Sequence, residues 1–229
     1  MRGTDWDHNC WYHRLLLARV PPDATRVLDV GCGAGALARR LASRARSVDA
    51  VDRSPAMIAA AGEAAPPNLT LHRADLRSVD LPAGQYDAVV SSAVLHHLPL
   101  SDVLPRMARW VRPGGVLAAV ALPRVDLPRE LAVEVAAAVA HTSLGVELAA
   151  GVTHAALGLG FAALRPLTGA DLFRREATHA AMPVAEPDLT VRQVRAEATR
   201  LLPGVRVRRL LFWRYLLVWR RPPAYLPAS

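Results

Sequence analysis

The sequence predicts an α/β fold: a doubly wound, mostly parallel sheet interrupted after its fifth strand by a helical insertion. Three observations carry this expectation. Short apolar runs alternate with segments of helical spacing from residue 26 to residue 122, the pattern of strands joined by crossover helices. A glycine-rich turn, Gly31-Cys32-Gly33-Ala34-Gly35, joins the first run to the first helical segment. The alternation breaks near residue 124, in an alanine-rich stretch with prolines at 128, 166, 183 and 187, and resumes at Leu189.

Each element has its own signal. Asp5 to Arg19 reads as an aromatic, partly helical arm closed by Pro21-Pro22. Arg26 to Val30 is an apolar run ending in glycines, suited to a buried parallel strand. Ala36 to Arg46 carries Leu37 and Leu41 at helical spacing. Ser47 to Asp52 is a second strand, and Pro55 to Ala65 a helix with Ser54 as N-cap and Pro55 in its first turn. Leu69 to Arg73 and Tyr86 to Ser91 make the third and fourth strands, Ser101 to Val111 a helix stopped by Arg112-Pro113-Gly114-Gly115, and Val116 to Leu122 the fifth strand. Leu189 to Leu202 is helical and stopped by Pro203-Gly204; Val205 to Leu211 and Tyr215 to Arg220 then read as two closing strands in a hairpin. An insertion at 124–187 would lie over the carboxyl ends of the strands, where such sheets bind ligands.

Composition narrows the function classes. The 229 residues suffice for one large domain, and 52% hydrophobic with 21% charged residues excludes a disordered chain. All 28 basic side chains are arginine, which reads as coding bias, so the net charge of +8 is weak support for a nucleic-acid partner. Cys10 and Cys32 form neither a zinc-type cluster nor a disulfide framework, so a cytoplasmic setting is the expectation. The uncharged stretch Leu148 to Leu164 is shorter than the roughly 20 apolar residues of a spanning helix and is interrupted by glycines. No membrane association is expected.

The glycine loop taken alone is ambiguous. Gly31, Gly33 and Ala36 also satisfy the dinucleotide pattern, with Asp52 about 20 residues on. Its context favours another cofactor. Asp29, two residues before the first glycine, suits a cationic amine; Asp52, closing the second strand, can accept both hydroxyls of a ribose. Ala74-Asp75-Leu76 offers a further carboxylate to an adenine amino group. An ammonium, a ribose and an adenine together describe S-adenosylmethionine.

These segments resemble the class I S-adenosylmethionine-dependent methyltransferases, of the small bacterial kind. The resemblance runs through Val27 to Gly35, Val51-Asp52, Ala74-Asp75-Leu76, Tyr86 to Ser91, Leu95-His96-His97-Leu98 and Val111 to Gly115. It implies a seven-stranded Rossmann-like sheet whose last strand is antiparallel. It further implies that Asp29, Gly31, Cys32 and Gly33 hold the methionine part of the cofactor, and that Asp52 holds the ribose. Arg53 and Met57 would pack near the adenine, Asp75 and Leu76 would flank it after Ala74, and the Ser91 backbone would approach the methionine moiety. A loop-capping role is the alternative for Asp75.

The sulfonium methyl is already activated, so positioning and desolvation dominate and no metal is required. His96 stands close to where that methyl should point and is a candidate base, with a structural role as its alternative. Some relatives pair such a histidine with an acid at the end of the fifth strand, where this chain has Val120-Ala121-Leu122. A base from elsewhere points to the arm, where Trp6, His8, Trp11, Tyr12 and His13 crowd together. His8 and Tyr12 share a helix face, either as a lid over the cofactor or as a helix docked on the core. The domains are therefore read as an arm at 1–22, a cofactor-binding core at 23–123 and 188–222, and an acceptor-binding cap at 124–187.

The expected function is methyl transfer to a small organic acceptor in bacterial specialised metabolism, releasing S-adenosylhomocysteine, by a monomer or homodimer. An RNA methyltransferase, a cofactor-binding protein without transfer activity and a nicotinamide oxidoreductase are the rivals. Against RNA, Ser91-Ser92-Ala93-Val94 stands where a base-flipping motif would follow the fourth strand. The arginines of 205–215 read as a solvated edge-strand face, and His141, His154 and His179 are too scattered for a metal site.

Overall fold

The computed structural model describes residues 8–124, 126, 187–210 and 214–223. Apart from Asp126, these belong to one unit built from 1–124 and 183–229. Apart from residues 124, 126 and 187, the cap expected at 124–187, with its three histidines, lies outside the described residues, as do Trp6 and the side chains of His8 and Trp11.

The elements in order are α1 (His8–Leu17), β1 (Arg26–Val30), α2 (Ala36–Ala42), β2 (Ser47–Asp52), α3 (Pro55–Gly62), β3 (Leu69–Arg73), β4 (Tyr86–Ser92), a 3-10 turn (Leu95–His97), α4 (Leu100–Trp110), β5 (Val111–Ala121), α5 (Val191–Leu201), β6 (Arg206–Leu210) and β7 (Arg214–Arg220). The seven strands lie in the order β3-β2-β1-β4-β5-β7-β6. β1 to β5 are mutually parallel, and β7 runs antiparallel to both β5 and β6. The chain winds outward from β1 to β3, then crosses to β4 on the other side. The switch between β1 and β4 is where such sheets open a ligand crevice.

Because successive strand residues point to opposite faces, this sheet has two cores. Leu28, Val89, Leu117 and Leu217 pack on one face beneath α4 and α5. Val27, Ala88, Val90 and Ala118 pack on the other with Leu37 and Leu41 of α2, and with Tyr12, Leu16 and Leu17 of α1. Burial on both faces explains why these strands read as continuous apolar runs.

Of the expected boundaries that moved, three did so for a physical reason visible in the structure. The helix after β1 ends at Ala42 rather than Arg46, since Asn68 Nδ2 donates to the Ala42 and Ala45 carbonyls (2.8 and 3.1 Å), satisfying acceptors that end a helix. The last helix begins at Val191 rather than Leu189. Thr190 and Gln193 form a reciprocal capping box there. β5 starts at Val111, before the glycines read as a stop, and the register shifts between Tyr86 and Ala88. A Cβ on Gly115 would meet the Asp87 carbonyl oxygen at 2.9 Å, so glycine lets the strand pass rather than end.

Asp87 ties these strands at their amino ends. Its Oδ2 accepts from Thr25 N (2.8 Å), Thr25 Oγ1 (2.9 Å) and Arg26 N (2.8 Å), and its Oδ1 accepts from Arg112 Nε.

Candidate active site

The glycine loop follows β1 at the switch point. Gly31, Gly33 and Gly35 have φ of 71, 52 and 81°, values that a side chain makes costly. At Gly31 the constraint is also steric, since a Cβ would sit 2.1 Å from Val94 Cγ2. Val94, in the loop after β4, occupies the space a side chain at position 31 would need. Gly31 N and Cys32 N both donate to the Val51 carbonyl (2.8 and 3.0 Å). The loop is thereby pinned to β2.

Asp52 completes the pinning. Its Oδ2 accepts from Gly33 N and its Oδ1 from Ser54 N, both at 2.9 Å. Each oxygen keeps a lone pair for a further donor.

Asp29 is 1% exposed, and its Oδ2 has no hydrogen-bond partner. Burial pushes the carboxyl up to about 7, and the Asp52 charge adds to this while the Ala38 backbone amide opposes it. An orphaned buried carboxylate beside a glycine loop is an acceptor waiting for a cationic donor. Cys32 is buried, and burial raises its thiol far above neutrality, which removes it as a nucleophile.

The adenine-side residues follow β2 and β3. Arg53 is exposed, while Met57 is buried yet belongs to neither hydrophobic core. Ala74 N donates to the Asp52 carbonyl (3.0 Å), and the Leu76 carbonyl accepts from Arg106 Nε (3.1 Å). Asp75 is engaged by Arg77 through both carboxylate oxygens (3.0 and 2.8 Å) and through the Arg77 amide (2.8 Å). Those bonds, aided by Arg53, hold Asp75 down to about 2. The loop-capping arrangement is thus present in the structure, with Arg77 as a partner the sequence reading did not name.

After β4, Ser91 is fully buried and its Oγ donates to the Val30 carbonyl (2.9 Å). Ala93 has φ of 58°, the one non-glycine in the left-handed region among the described residues. Such strain for a residue with a Cβ concentrates at functional turns. It delivers the chain into the 3-10 turn that carries His96 and His97, whose rings lie 4.0 Å apart. His96 Nδ1 is buried without a partner. Burial, then His97 and Arg214, push its imidazolium down to about 3. His97 is lowered by burial and then by Arg53.

A cavity of about 330 Å³ opens beside His96, lined among others by Leu122, Asp188, Val194, Glu197 and Tyr215. Sequence reasoning looked for an acid at the end of β5 and found none; the acids come from the segment before α5 and from α5 itself. Val194 and Glu197, three apart, share a helix face, a signal available in the sequence. Tyr215 enters by β7 pairing, which no local pattern encodes.

Tyr12 is 4% exposed among Leu16 and Leu17 in the α2-side core, so α1 docks on the sheet from this residue onward. His8 opens α1, but its side chain lies outside the described residues. No helix among the described residues is long and apolar enough to cross a membrane.

Comparison with known proteins agrees with this geometry. The family model described as a methyltransferase domain matches residues 27–115. An uncharacterized methyltransferase of Mycobacterium tuberculosis is 34% identical over 222 residues, 95% of this chain and 98% of its own. The trans-aconitate 2-methyltransferase of Streptomyces avermitilis is 38% identical over 122 residues, 49% of this chain and 45% of its own. The crystal structure of an S-adenosylmethionine-dependent methyltransferase from Mesorhizobium loti shares the fold, with a TM-score of 0.58, 19% identity and coverage of 91% of this chain and 96% of its own. With a relative alike along nearly its whole length, this chain belongs to the methyltransferases, and its sheet is wound as in the S-adenosylmethionine-dependent methyltransferase of Mesorhizobium loti.

Proposed function

We propose that the enzyme methylates a small organic acceptor of specialised metabolism, with the cofactor held from β1, β2 and β3 and the acceptor met at the 3-10 turn. The observation that supports this most directly is the orphaned Asp29 Oδ2 at the switch point. In this reading Asp29 takes the cofactor's ammonium and Asp52 its ribose hydroxyls. Gly31, Cys32, Gly33 and the Ser91 backbone surround the methionine part, and Arg53, Met57, Ala74, Asp75 and Leu76 surround the adenine. Residues 124–187 would cap the acceptor, and the arm at 1–22 would close over the site through His8, with Tyr12 anchored in the core cluster that also holds Cys32. The small acceptor named for the Streptomyces avermitilis relative favours an acceptor of similar size here.

Bound S-adenosylmethionine supplies an activated methyl, which leaves the protein to position the acceptor and exclude water. His96 is unprotonated at pH 7 and accepts a hydrogen bond, or the proton, from the acceptor's O–H or N–H. Its lowered value makes it a weak base, so orientation outweighs proton abstraction in this role. His96→Ala should therefore reduce kcat by about 10- to 100-fold while cofactor affinity stays unchanged. The pH-rate profile of the wild-type enzyme should show no histidine step between pH 5 and 8, because the group deprotonates near 3. A step near pH 6.5 that disappears in His96→Ala would sink this assignment.

Asp29 gives cofactor binding a pH dependence. A cationic ligand binds its ionised form, and the free carboxyl is half protonated near pH 7. Binding then releases a proton, and affinity rises with pH until the group is ionised in the free protein. Calorimetric titration at pH 6.5, in buffers of different ionisation enthalpy, should show that release. Heats that do not depend on the buffer would speak against Asp29 as the ammonium site.

A further inference from the structure

The cavity beside His96 is charged on one side and apolar on the other. Asp188 and Glu197 are the two acidic side chains of its lining, and the two histidines, lowered by burial, are its only basic ones. Neither acid has an ion pair among the described residues. Arg214, the cation that biases His96, is not among the lining residues. Leu122, Val194 and further leucines and prolines form the walls. Tyr215, 1% exposed, also lines the cavity, and its hydroxyl makes no hydrogen bond to any described residue. A phenol hydroxyl both donates and accepts, so it can pair with a ligand hydroxyl. The cavity volume falls within the range of small-molecule sites.

Resting on the reading of His96 as the acceptor side, we propose that this cavity takes a molecule with an amine at one end and a hydroxyl at the other, joined by an apolar or aromatic body. Asp188 is exposed and Glu197 half-buried, which puts the ammonium toward the open side and the hydroxyl toward buried Tyr215. A polycarboxylate such as trans-aconitate would meet two unpaired carboxylates, so this chain's acceptor differs in charge from that of the relative whose name carries it. Carboxylates at a cleft both attract a cation and reject an anion.

Tyramine and 3-(4-hydroxyphenyl)propionate, near-isosteric probes of opposite charge, test this by calorimetric titration into the full chain. Tyramine should bind at least tenfold tighter, and the preference should shrink at high salt. It should vanish in the double variant Asp188→Asn/Glu197→Gln, while S-adenosylmethionine binds that variant as it binds wild type. Tyr215→Phe, which removes only the hydroxyl, should weaken tyramine several-fold. Equal binding of the two probes, no tyramine binding, or a preference untouched by the double substitution would overturn the proposal. Should His96→Ala leave methyl transfer unchanged while the amine preference persists, the acceptor-side assignment fails and the amine site stands.

Discussion

Asp29→Asn should produce an apoprotein at least as stable as wild type that has lost most of its affinity for S-adenosylmethionine. The two effects have one origin. In the apoprotein Asp29 Oδ2 is buried with no partner, and desolvation drives its carboxyl up to about 7. An amide of the same shape removes that buried charge. The bound cofactor's ammonium then loses a carboxylate in a water-excluded setting, where charged hydrogen bonds are worth roughly 2–3 kcal/mol, or about 30- to 150-fold in Kd. Thermal melts and calorimetric titration on the same preparation read both effects. The pH dependence of binding should vanish in the variant as well. A variant that melts several degrees lower while binding the cofactor normally would make Asp29 a structural residue and refute the assignment.

The second large effect is expected at the opposite end of the strands. Asp87→Ala removes a carboxylate of 5% side-chain exposure that accepts from Thr25, Arg26 and Arg112. Burial alone would raise its carboxyl, but those donors outweigh burial and lower it. Its folded value lies below its unfolded one. The stabilisation is therefore complete above the ordinary aspartate range, about pH 4, and is lost as pH falls through the folded value. Orphaning two part-buried backbone donors and the Arg112 contact should cost about 3 kcal/mol at pH 7, roughly 6–12 °C in Tm for a chain of this size. Denaturant melts at pH 7 and pH 3 check the sign: the gap between wild type and variant should narrow at the acid end. An unchanged midpoint at pH 7 would mean that the amino ends of β1, β4 and β5 are held by other contacts.

The two aspartates also show which features were legible in the sequence. Asp29 and Asp52 were readable because a strand, a glycine turn and a helix follow one another within one short stretch, and local order fixes where the carboxylates end up. β1, β2 and β3 matched their expected bounds for the same reason, since a glycine or proline stands close to at least one end of each run. β5 was misjudged at its start because Pro113-Gly114-Gly115 reads as a stop, and only the neighbouring Asp87 backbone reveals that the glycines let a strand pass. Arg77 was overlooked beside Asp75, although a pair two residues apart is a local feature. Tyr215 and Glu197 could not be brought to His96 by any local rule. They reach its cavity through the β5–β7 pairing, which sets Tyr215 opposite Ala121, and through the packing of α5, contacts between segments far apart in sequence.

Both oxygens of Asp52 already hold backbone amides, one of them from Gly33 in the glycine loop. The loop is therefore shaped as the chain folds, before any ligand arrives. Ligand binding then spends little of its free energy on ordering backbone, and preorganised sites of this sort convert more of their contacts into affinity. The same economy makes Asp52 a poor place to separate binding from architecture. A substitution there releases Gly33 and removes the candidate ribose acceptor in one step, so its phenotype is a sum. Asp29, with nothing bound to its free oxygen, is where cofactor recognition alone can be weighed.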